Sequence, residues 1–290
     1  LQVDDTLESR TDTVRVTVNQ VPVAVAGPSQ KVKSSTAFTL TGSTSSDADF
    51  DPITFLWTQL SGPGVPTFNR TLANTVVTAP PLQGSVLPFS LRVSDGLENT
   101  TVNTTVTVNR TPVVSIVAAA AVEKSTVVQL TGSGSSDGDG EALGYTWSQV
   151  SGPPVSFVTN TANTTFTAPA TSGASIVVKL EVTDTLESAS AQATIRVNTL
   201  PVPSAGPDRR VAPAAQVTLD GLATVDADGD PLTYLWTQLS GSAVSLSGAA
   251  SALAGFTAPV TRGDVLVFRL TTSDGVQAAT DDLTVRVNRL

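Results

Sequence analysis

The side chains of this 290-residue chain that are best suited to chemistry, by type and by regular spacing, are its carboxylates. They recur three times in the pattern Asp-x-Asp-x-Asp/Glu, and one further Asp follows each group later in the chain. The groups are Asp47, Asp49 and Asp51; Asp137, Asp139 and Glu141; and Asp226, Asp228 and Asp230, followed by Asp95, Asp184 and Asp274 respectively. Calcium, which accepts about six to eight oxygen ligands in a tolerant geometry, is the ion that these side chains favour.

The same pattern has a simpler interpretation, because Asp side chains also accept hydrogen bonds from nearby backbone and stabilise tight turns. The groups are not EF-hand loops. Pro231 stands at the sixth position of the third group, where an EF-hand requires Gly, and the twelfth position of each group lacks Glu. Calcium binding and ordinary turn chemistry therefore both remain open.

The composition excludes several classes of protein. The chain has no His, Cys or Met, which rules out a Ser-His-Asp or Cys-His nucleophile, the usual zinc, haem and iron–sulfur ligands, and disulfides. Sixteen basic and 25 acidic side chains give a net charge of −9, which disfavours a nucleic-acid partner. The longest apolar stretch, residues 113–122, is about half of the roughly 20 residues that a membrane span needs. We therefore expect no enzyme, no nucleic-acid partner and no membrane span in this piece.

The chain is built from repeats of about 90 residues. Trp57, Trp147 and Trp236 each open the phrase Trp-Thr/Ser-Gln-Leu/Val-Ser-Gly. The first 20 residues match the end of a repeat rather than its beginning. The predicted organisation is the C-terminal hairpin of a preceding repeat at 1–20 and three whole domains at 21–110, 111–199 and 200–290.

Alternating apolar residues within each repeat predict half-buried strands, as at 14–18 and 89–93. Short strands, turn signals and an early Trp fit an immunoglobulin-like sandwich of two antiparallel sheets, with each Trp in the core. The acidic group and the later Asp of a repeat then lie at the same pole of the sandwich. Four carboxylates are expected to converge there.

Several phrases of the first repeat resemble the polycystic-kidney-disease (PKD) domain and its REJ-type relatives. They are Ala26-Gly-Pro28, Asp51-Pro52, the Trp57 phrase, Thr78-Ala-Pro80 and Val93-Ser-Asp-Gly96. The resemblance implies an all-β chain of tandem immunoglobulin-like (PKD-like) antiparallel β-sandwiches. It also implies an extracellular module of surface proteins, secreted hydrolases and adhesive or filamentous assemblies. The second repeat departs from the pattern at residues 118–122, Glu141 and Gly144, so a ligand site implied by the family is weakest there.

We therefore expect a non-catalytic extracellular or cell-surface protein with a structural or adhesive role, whose repeats form a rod, stalk or filament. Its partners would be neighbouring repeats or identical subunits in a fibre, and surface glycans or receptors. The alternative is an accessory carbohydrate-binding or spacer region of a secreted hydrolase. Short linkers that carry Pro predict stiff joints, which calcium at the adjoining pole would stiffen further. Glycosylation sequons mark candidate sites at Asn69, Asn99, Asn103, Asn109 and Asn163.

Overall fold

The structure is a computed structural model that describes residues 1–4 and 6–289. These residues form twenty-one β-strands, and none of them belongs to a helix. No helix long and apolar enough to cross a membrane occurs in this part of the chain. The all-β class expected from the sequence is confirmed.

The start of the chain forms a small hairpin. Strand β1 (Gln2–Asp4) pairs antiparallel with β2 (Ser9–Thr11). The alternating valines that follow were expected in a half-buried strand, and this expectation is wrong. Val14, Val16 and Val18 lie outside any strand and are more than four-fifths exposed, because no described sheet packs against them.

The first whole repeat contains two sheets. Its strands are β3 (Gln30–Val32), β4 (Ala37–Thr41), β5 (Thr54–Gln59), β6 (Asn74–Thr78), β7 (Val86–Ser94) and β8 (Asn99–Val108). One sheet has the order β3-β8-β7-β5 and the other consists of β4 and β6. Strand β3 runs parallel to β8, and the other pairs are antiparallel.

The second repeat has the same plan with one more short strand. Its strands are β9 (Val117–Ala118), β10 (Ala121–Val122), β11 (Val127–Thr131), β12 (Gly144–Ser151), β13 (Asn163–Thr167), β14 (Ser175–Thr183) and β15 (Ser188–Val197). The sheet orders are β10-β15-β14-β12 and β13-β11-β9, with β10 parallel to β15.

The third repeat repeats the plan of the first. Its strands are β16 (Arg209–Val211), β17 (Gln216–Asp220), β18 (Thr233–Ser240), β19 (Leu253–Thr257), β20 (Val265–Ser273) and β21 (Ala278–Val287). The sheet orders are β16-β21-β20-β18 and β17-β19, with β16 parallel to β21.

The core of each repeat follows the alternation in the sequence. Trp57, Trp147 and Trp236 are at most 1% exposed, which confirms that the tryptophans are core residues. The indole Nε1 of Trp57 donates a hydrogen bond to the carbonyl oxygen of Leu72 (3.2 Å), so burying its polar edge leaves no donor unpaired there. The side chains at 89, 91 and 93 on β7 are fully buried, as the pattern predicted. Each such side chain contributes about 1.5–3 kcal/mol through burial.

The described residues divide into two compact units, and the division runs through the second repeat. The first unit comprises residues 1–112 together with the loops 137–143 and 183–188. The second comprises 113–136, 144–182 and 189–290, of which 290 lies outside the described part of the chain. The domain boundaries at 20, 110 and 199 remain a prediction.

Candidate functional site

The three acidic groups form compact clusters within their loops. In each group, carboxylate oxygens of all three residues lie within 4.8 Å of one another. The first Asp of each group orders its loop by accepting a hydrogen bond at Oδ1 from the backbone N–H two residues later. These donor–acceptor distances are 2.8 Å for Asp49 to Asp47, 2.7 Å for Asp139 to Asp137 and 2.9 Å for Asp228 to Asp226. The turn chemistry expected of the pattern is therefore present.

The other oxygen of each first Asp is buried and has no hydrogen-bond partner in the described structure. This holds for Oδ2 of Asp47, Asp137 and Asp226. A buried acceptor without a partner is destabilising, by about 1–3 kcal/mol for a polar group and by more for a charged one. Asp47 is the most buried of the three, with 9% of its surface exposed.

The later Asp of each repeat caps its own turn and also binds an asparagine from the preceding linker. Oδ1 of Asp184 accepts from the N–H groups of Leu186 and Glu187 (2.7 and 2.8 Å). Its Oδ2 accepts from Nδ2 of Asn109 at 2.9 Å. The equivalent pairs are Asn19 with Asp95 (2.9 Å) and Asn198 with Asp274 (2.7 Å). The fourth carboxylate of each pole is thus bonded to the linker and is not a member of the three-residue cluster.

The residue after each asparagine binds the middle Asp of the next acidic group. Its backbone N–H donates to Oδ2 of that Asp, at 2.6 Å for Gln20 to Asp49, 2.9 Å for Arg110 to Asp139 and 2.7 Å for Thr199 to Asp228. Two consecutive linker residues therefore bind both acidic loops, which confirms that these loops share a pole.

We call this four-residue arrangement the linker clamp. The first clamp is 19, 20, 49 and 95; the second is 109, 110, 139 and 184; and the third is 198, 199, 228 and 274. The first and second lie within the first compact unit, and the third lies within the second.

Basic side chains neutralise the acidic groups of the second and third clamps. Nζ of Lys31 lies 2.9 Å from Oε1 of Glu141 and 3.4 Å from Oδ2 of Asp139. The guanidinium of Arg110 lies 3.5 Å from Oδ1 of Asp139. In the third clamp, Arg196 pairs with Asp228 at 3.3 Å and with Asp230 at 2.5 Å. No basic side chain forms an ion pair with Asp49 or Asp51 in the part of the chain that the structure describes.

The clamp lowers the pKa of its buried acids. Burial of Asp184 favours the neutral carboxyl, but the backbone N–H of Glu187 and the amide of Asn109 outweigh it, so its pKa lies below the usual value. The pKa of Asp274 is lowered in the same way, against its burial, by Asn198 and the N–H of Gln277. Burial opposes the charge of Lys31, yet its contacts with Glu141 and Asp139 raise its pKa.

These contacts distinguish the first acidic group from the other two. Lys31 and Arg196 occupy carboxylate oxygens of the second and third groups, so a cation there would compete with a bound side chain. The first group shares the buried free Oδ2 of its leading Asp with the other two groups, but it has no basic partner among the described residues. It borders a cavity of about 280 Å³ lined by Thr17, Asn19, Asp49, Asp51 and Leu97. Its donors, all oxygens, suit calcium. Among the three groups, that of Asp47, Asp49 and Asp51 is thus the one without a bound basic side chain in the described part of the chain.

Four of the five sequons lie at accessible positions. Asn69, Asn99, Asn103 and Asn163 are exposed. Asn109 is fully buried, and its Nδ2 donates to Asp184 and to Glu187 (3.0 Å). The prediction of a glycan at Asn109 therefore does not fit the folded chain, because the attachment atom is enclosed in the second clamp.

The clamp role of the asparagines and of the basic residues beside them was not predicted, and Asn109 was named only as a candidate glycosylation site. Asn109, Asn198 and Asn288 recur at the end of each repeat, which is a signal visible in the sequence. Its meaning requires the tertiary structure, because the bound Asp lies 75 or 76 residues later in the chain.

Together, the repeated two-sheet fold and the linker clamps define a protein of tandem PKD-like domains. A sequence model of the K319L-like PKD domain family matches residues 26–108, 118–198 and 205–287. The chain belongs to this family. No curated protein matches it significantly.

Solved structures resemble the chain at low identity. A nucleoside hydrolase-related hypothetical protein from Saccharophagus degradans, described as associated with carbohydrate metabolism, is 25% identical over 32% of this chain and 26% of its own, with a TM-score of 0.30. The I-band fragment I67–I69 of titin is 15% identical over 92% of this chain and 98% of its own, with a TM-score of 0.43. Extracellular domains 3–5 of Drosophila OTK are 14% identical over 92% of this chain and 97% of their own length, with a TM-score of 0.39. The chain thus spans about a quarter of the first of these proteins.

Proposed function

We propose that this chain is a non-catalytic, extracellular structural or adhesive protein whose tandem PKD-like repeats form a stalk or surface filament. The observation that carries the proposal is the recurrence of the linker clamp. At three points along the chain, an asparagine and the next backbone N–H bind two Asp residues of the following repeat. Specific contacts of this kind couple neighbouring repeats, as a protein that transmits force requires.

The acidic groups support a structural role better than a catalytic one. In a glycosidase, two carboxylates must face a substrate, one as acid and the other as base or nucleophile. Here the same group occurs three times, and its carboxylates bind turn and linker N–H groups, with Lys31 and Arg196 at two of the three poles. Membership of a PKD domain family supports an extracellular location, since tandem PKD-like domains are typical of extracellular proteins.

Calcium is proposed as a structural ion of the first acidic group, with Asp47, Asp49 and Asp51 as ligands. The ion would neutralise three carboxylates that lack a basic partner among the described residues, and it would satisfy the buried oxygen of Asp47. The bound calcium would stabilise the fold electrostatically. The three carboxylates would hold it beside the linker residues Asn19 and Gln20.

Immunogold electron microscopy of the source cells tests the main proposal, with antibodies raised against residues 21–290. Labelling along surface stalks or fibres is expected. Labelling confined to the cell interior would contradict it. Co-purification of the full-length protein with polysaccharide hydrolase activity from the culture medium would instead favour the accessory-region alternative.

A further inference from the structure

Three arginines lie together at one end of the third repeat. Arg210 on β16 and Arg286 on β21 are paired across the two strands, and Arg289 follows the last strand. They line a cavity of about 250 Å³ that also contacts Gly263 and Val265. All three side chains are exposed. We call these three residues the basic pole.

The basic pole has no acidic partner within the described residues. No carboxylate of residues 1–4 or 6–289 forms an ion pair with Arg210, Arg286 or Arg289. The acids nearest to these arginines in sequence have other partners: Asp208 accepts from the backbone N–H of Thr284 (2.8 Å), and Asp282 pairs with Arg269 (2.8 Å). Asp264, between the cavity-lining residues Gly263 and Val265, accepts from the backbone N–H of Val265 (2.8 Å) and forms no ion pair with the three arginines in the described structure. Three like charges are therefore clustered without compensation.

At the ends of the first two repeats, basic residues at the positions equivalent to Arg210 and Arg286 bind acidic loops. Lys31 is the residue paired with Thr107 on β8, as Arg210 is paired with Arg286. Arg196 is paired with Ala121 and occupies the place of Arg286, two residues before the terminal asparagine. Each earlier repeat thus carries one cation on this strand pair, and that cation binds the acidic group of the next repeat. The third repeat carries a cation on both strands.

The backbone around the basic pole is built as at the two occupied ends. The N–H of the terminal asparagine donates to the short parallel strand at 2.8 Å for Asn109 to Val32, 2.8 Å for Asn198 to Val122 and 2.9 Å for Asn288 to Val211. Arg289 follows Asn288 as Arg110 follows Asn109. The backbone at Asn288 therefore already has the arrangement that places the linker residues of the other clamps.

We infer that the basic pole binds the Asp-x-Asp-x-Asp/Glu loop of a further PKD-like repeat, with Asn288 and the N–H of Arg289 completing a fourth clamp. A second copy of this chain fits less well, because each of its three acidic loops already binds its own linker at residue 20, 110 or 199. The occupant is thus a repeat whose middle and later Asp residues are free. The inference deepens the proposed function and rests on it for the role of the clamp.

A four-repeat chain tests the inference. Residues 1–290 are followed by a second copy of 201–290, so that Asn288, Arg289 and Leu290 lead into Pro201 as Asn198, Thr199 and Leu200 do in the natural chain. Because the chain has no cysteine, spin labels can be placed at introduced cysteines alone. Leu222→Cys in the third and the added repeat reports on the new joint, and Ser133→Cys with Leu222→Cys reports on the natural joint at the third clamp. Double electron–electron resonance gives the distance distribution for each pair.

A narrow distribution is expected at the new joint, and Arg210→Ala with Arg286→Ala should abolish the narrow peak. High salt should broaden it, because ion pairs of exposed side chains are screened. Arg269→Ala, which removes an arginine paired with Asp282 on the sheet face, is the matched control and should leave the peak unchanged. Since Arg210 and Arg286 are exposed, the double variant of the 290-residue chain should keep its melting temperature, which confirms that it folds.

A distribution at the new joint that does not respond to the double substitution would overturn the inference. If Arg196→Ala still broadens the natural joint in that case, the proposed coupling of repeats stands and only the basic pole is wrongly assigned. If neither joint responds, the clamp does not couple repeats and the proposed function fails as well. Self-association of the 290-residue chain at low salt, lost in the double variant, would assign the pole to a second copy and also overturn the inference.

Discussion

The side-chain amide of Asn109 lies 2.9 Å from a carboxylate oxygen of Asp184, a residue 75 positions further along the chain. Both residues are buried, with 0% and 2% of their surface exposed. Asn109 ends one repeat and Asp184 caps a turn in the next, so the contact joins two repeats through a desolvated, charge-assisted hydrogen bond. The same relationship holds between Asn198 and Asp274.

Asn109→Ala should destabilise the protein by about 1–3 kcal/mol, because it leaves the buried carboxylate of Asp184 without its amide donor. Urea unfolding monitored by tryptophan fluorescence measures the change. Asn103→Ala, at an exposed position of β8, is the matched control and should change stability by less than about 0.5 kcal/mol. Equal effects of the two substitutions would contradict the role of Asn109.

Arg196→Ala should destabilise the third clamp by about 1–3 kcal/mol, since Asp228 and Asp230 would lose their basic partner in a partly buried site. The difference from the unmodified protein should shrink in high salt. Lys179→Ala removes the cation of a more exposed pair with Glu181 (3.0 Å) and should cost less than about 1 kcal/mol. Calorimetric melting at low and high salt makes the comparison, and a salt-independent effect of Arg196→Ala would argue against an ionic role.

Stability should fall as the pH is lowered into the range where carboxylates titrate. Asp184 and Asp274 have folded-state pKa values below their ordinary ones. Their contribution is therefore complete above the unfolded pKa of about 4 and is lost as the pH falls through the folded pKa. Asp274→Asn should lower the melting temperature at pH 7 and flatten its decline at acidic pH. If the melting temperature of the variant falls with acidic pH as steeply as that of the unmodified protein, the protonation of Asp274 is not linked to folding.

Millimolar calcium should raise the melting temperature, and a chelator should reverse the increase. Binding to the folded state alone stabilises by about 2.7 kcal/mol when free calcium is 100 times Kd. Asp47→Asn with Asp49→Asn should abolish the response. Asp226→Asn with Asp228→Asn should retain it, because Arg196 already pairs with that group. A melting temperature indifferent to both calcium and chelator would rule out the site.

Gly42→Ala should destabilise the first repeat by about 1–3 kcal/mol through overpacking. A Cβ at this position would lie 2.7 Å from Cδ2 of Leu91 and 2.8 Å from the carbonyl oxygen of Ala73, beside the ring of Trp57. Gly64→Ala is the control, because a Cβ there meets no atom within 4 Å. Chemical denaturation of the two variants compares them. Similar stabilities would mean that the core adjusts to the methyl group.

Local pattern was enough to predict the all-β fold and the buried tryptophans, because alternation along a strand decides which side chains face the core. The same rule failed at Val14, Val16 and Val18. Alternation shows only that a strand could be half-buried, and burial also needs a second layer of structure, which no described residues supply there. The acidic groups were likewise found by spacing, but the role of the asparagines that bind the later Asp of each pole was not.

The sequence by itself determined the repeat, the position of each core Trp and the density of carboxylates at each pole, since these depend on residue types at short and regular spacing. Only the tertiary structure decided which carboxylates meet. It separated Asp95, Asp184 and Asp274 from the acidic clusters and joined them to linker asparagines. The physical reason is that a hydrogen bond depends on angstrom-scale placement of two groups. That placement follows from how one repeat packs against the next and cannot be read from spacing along the chain.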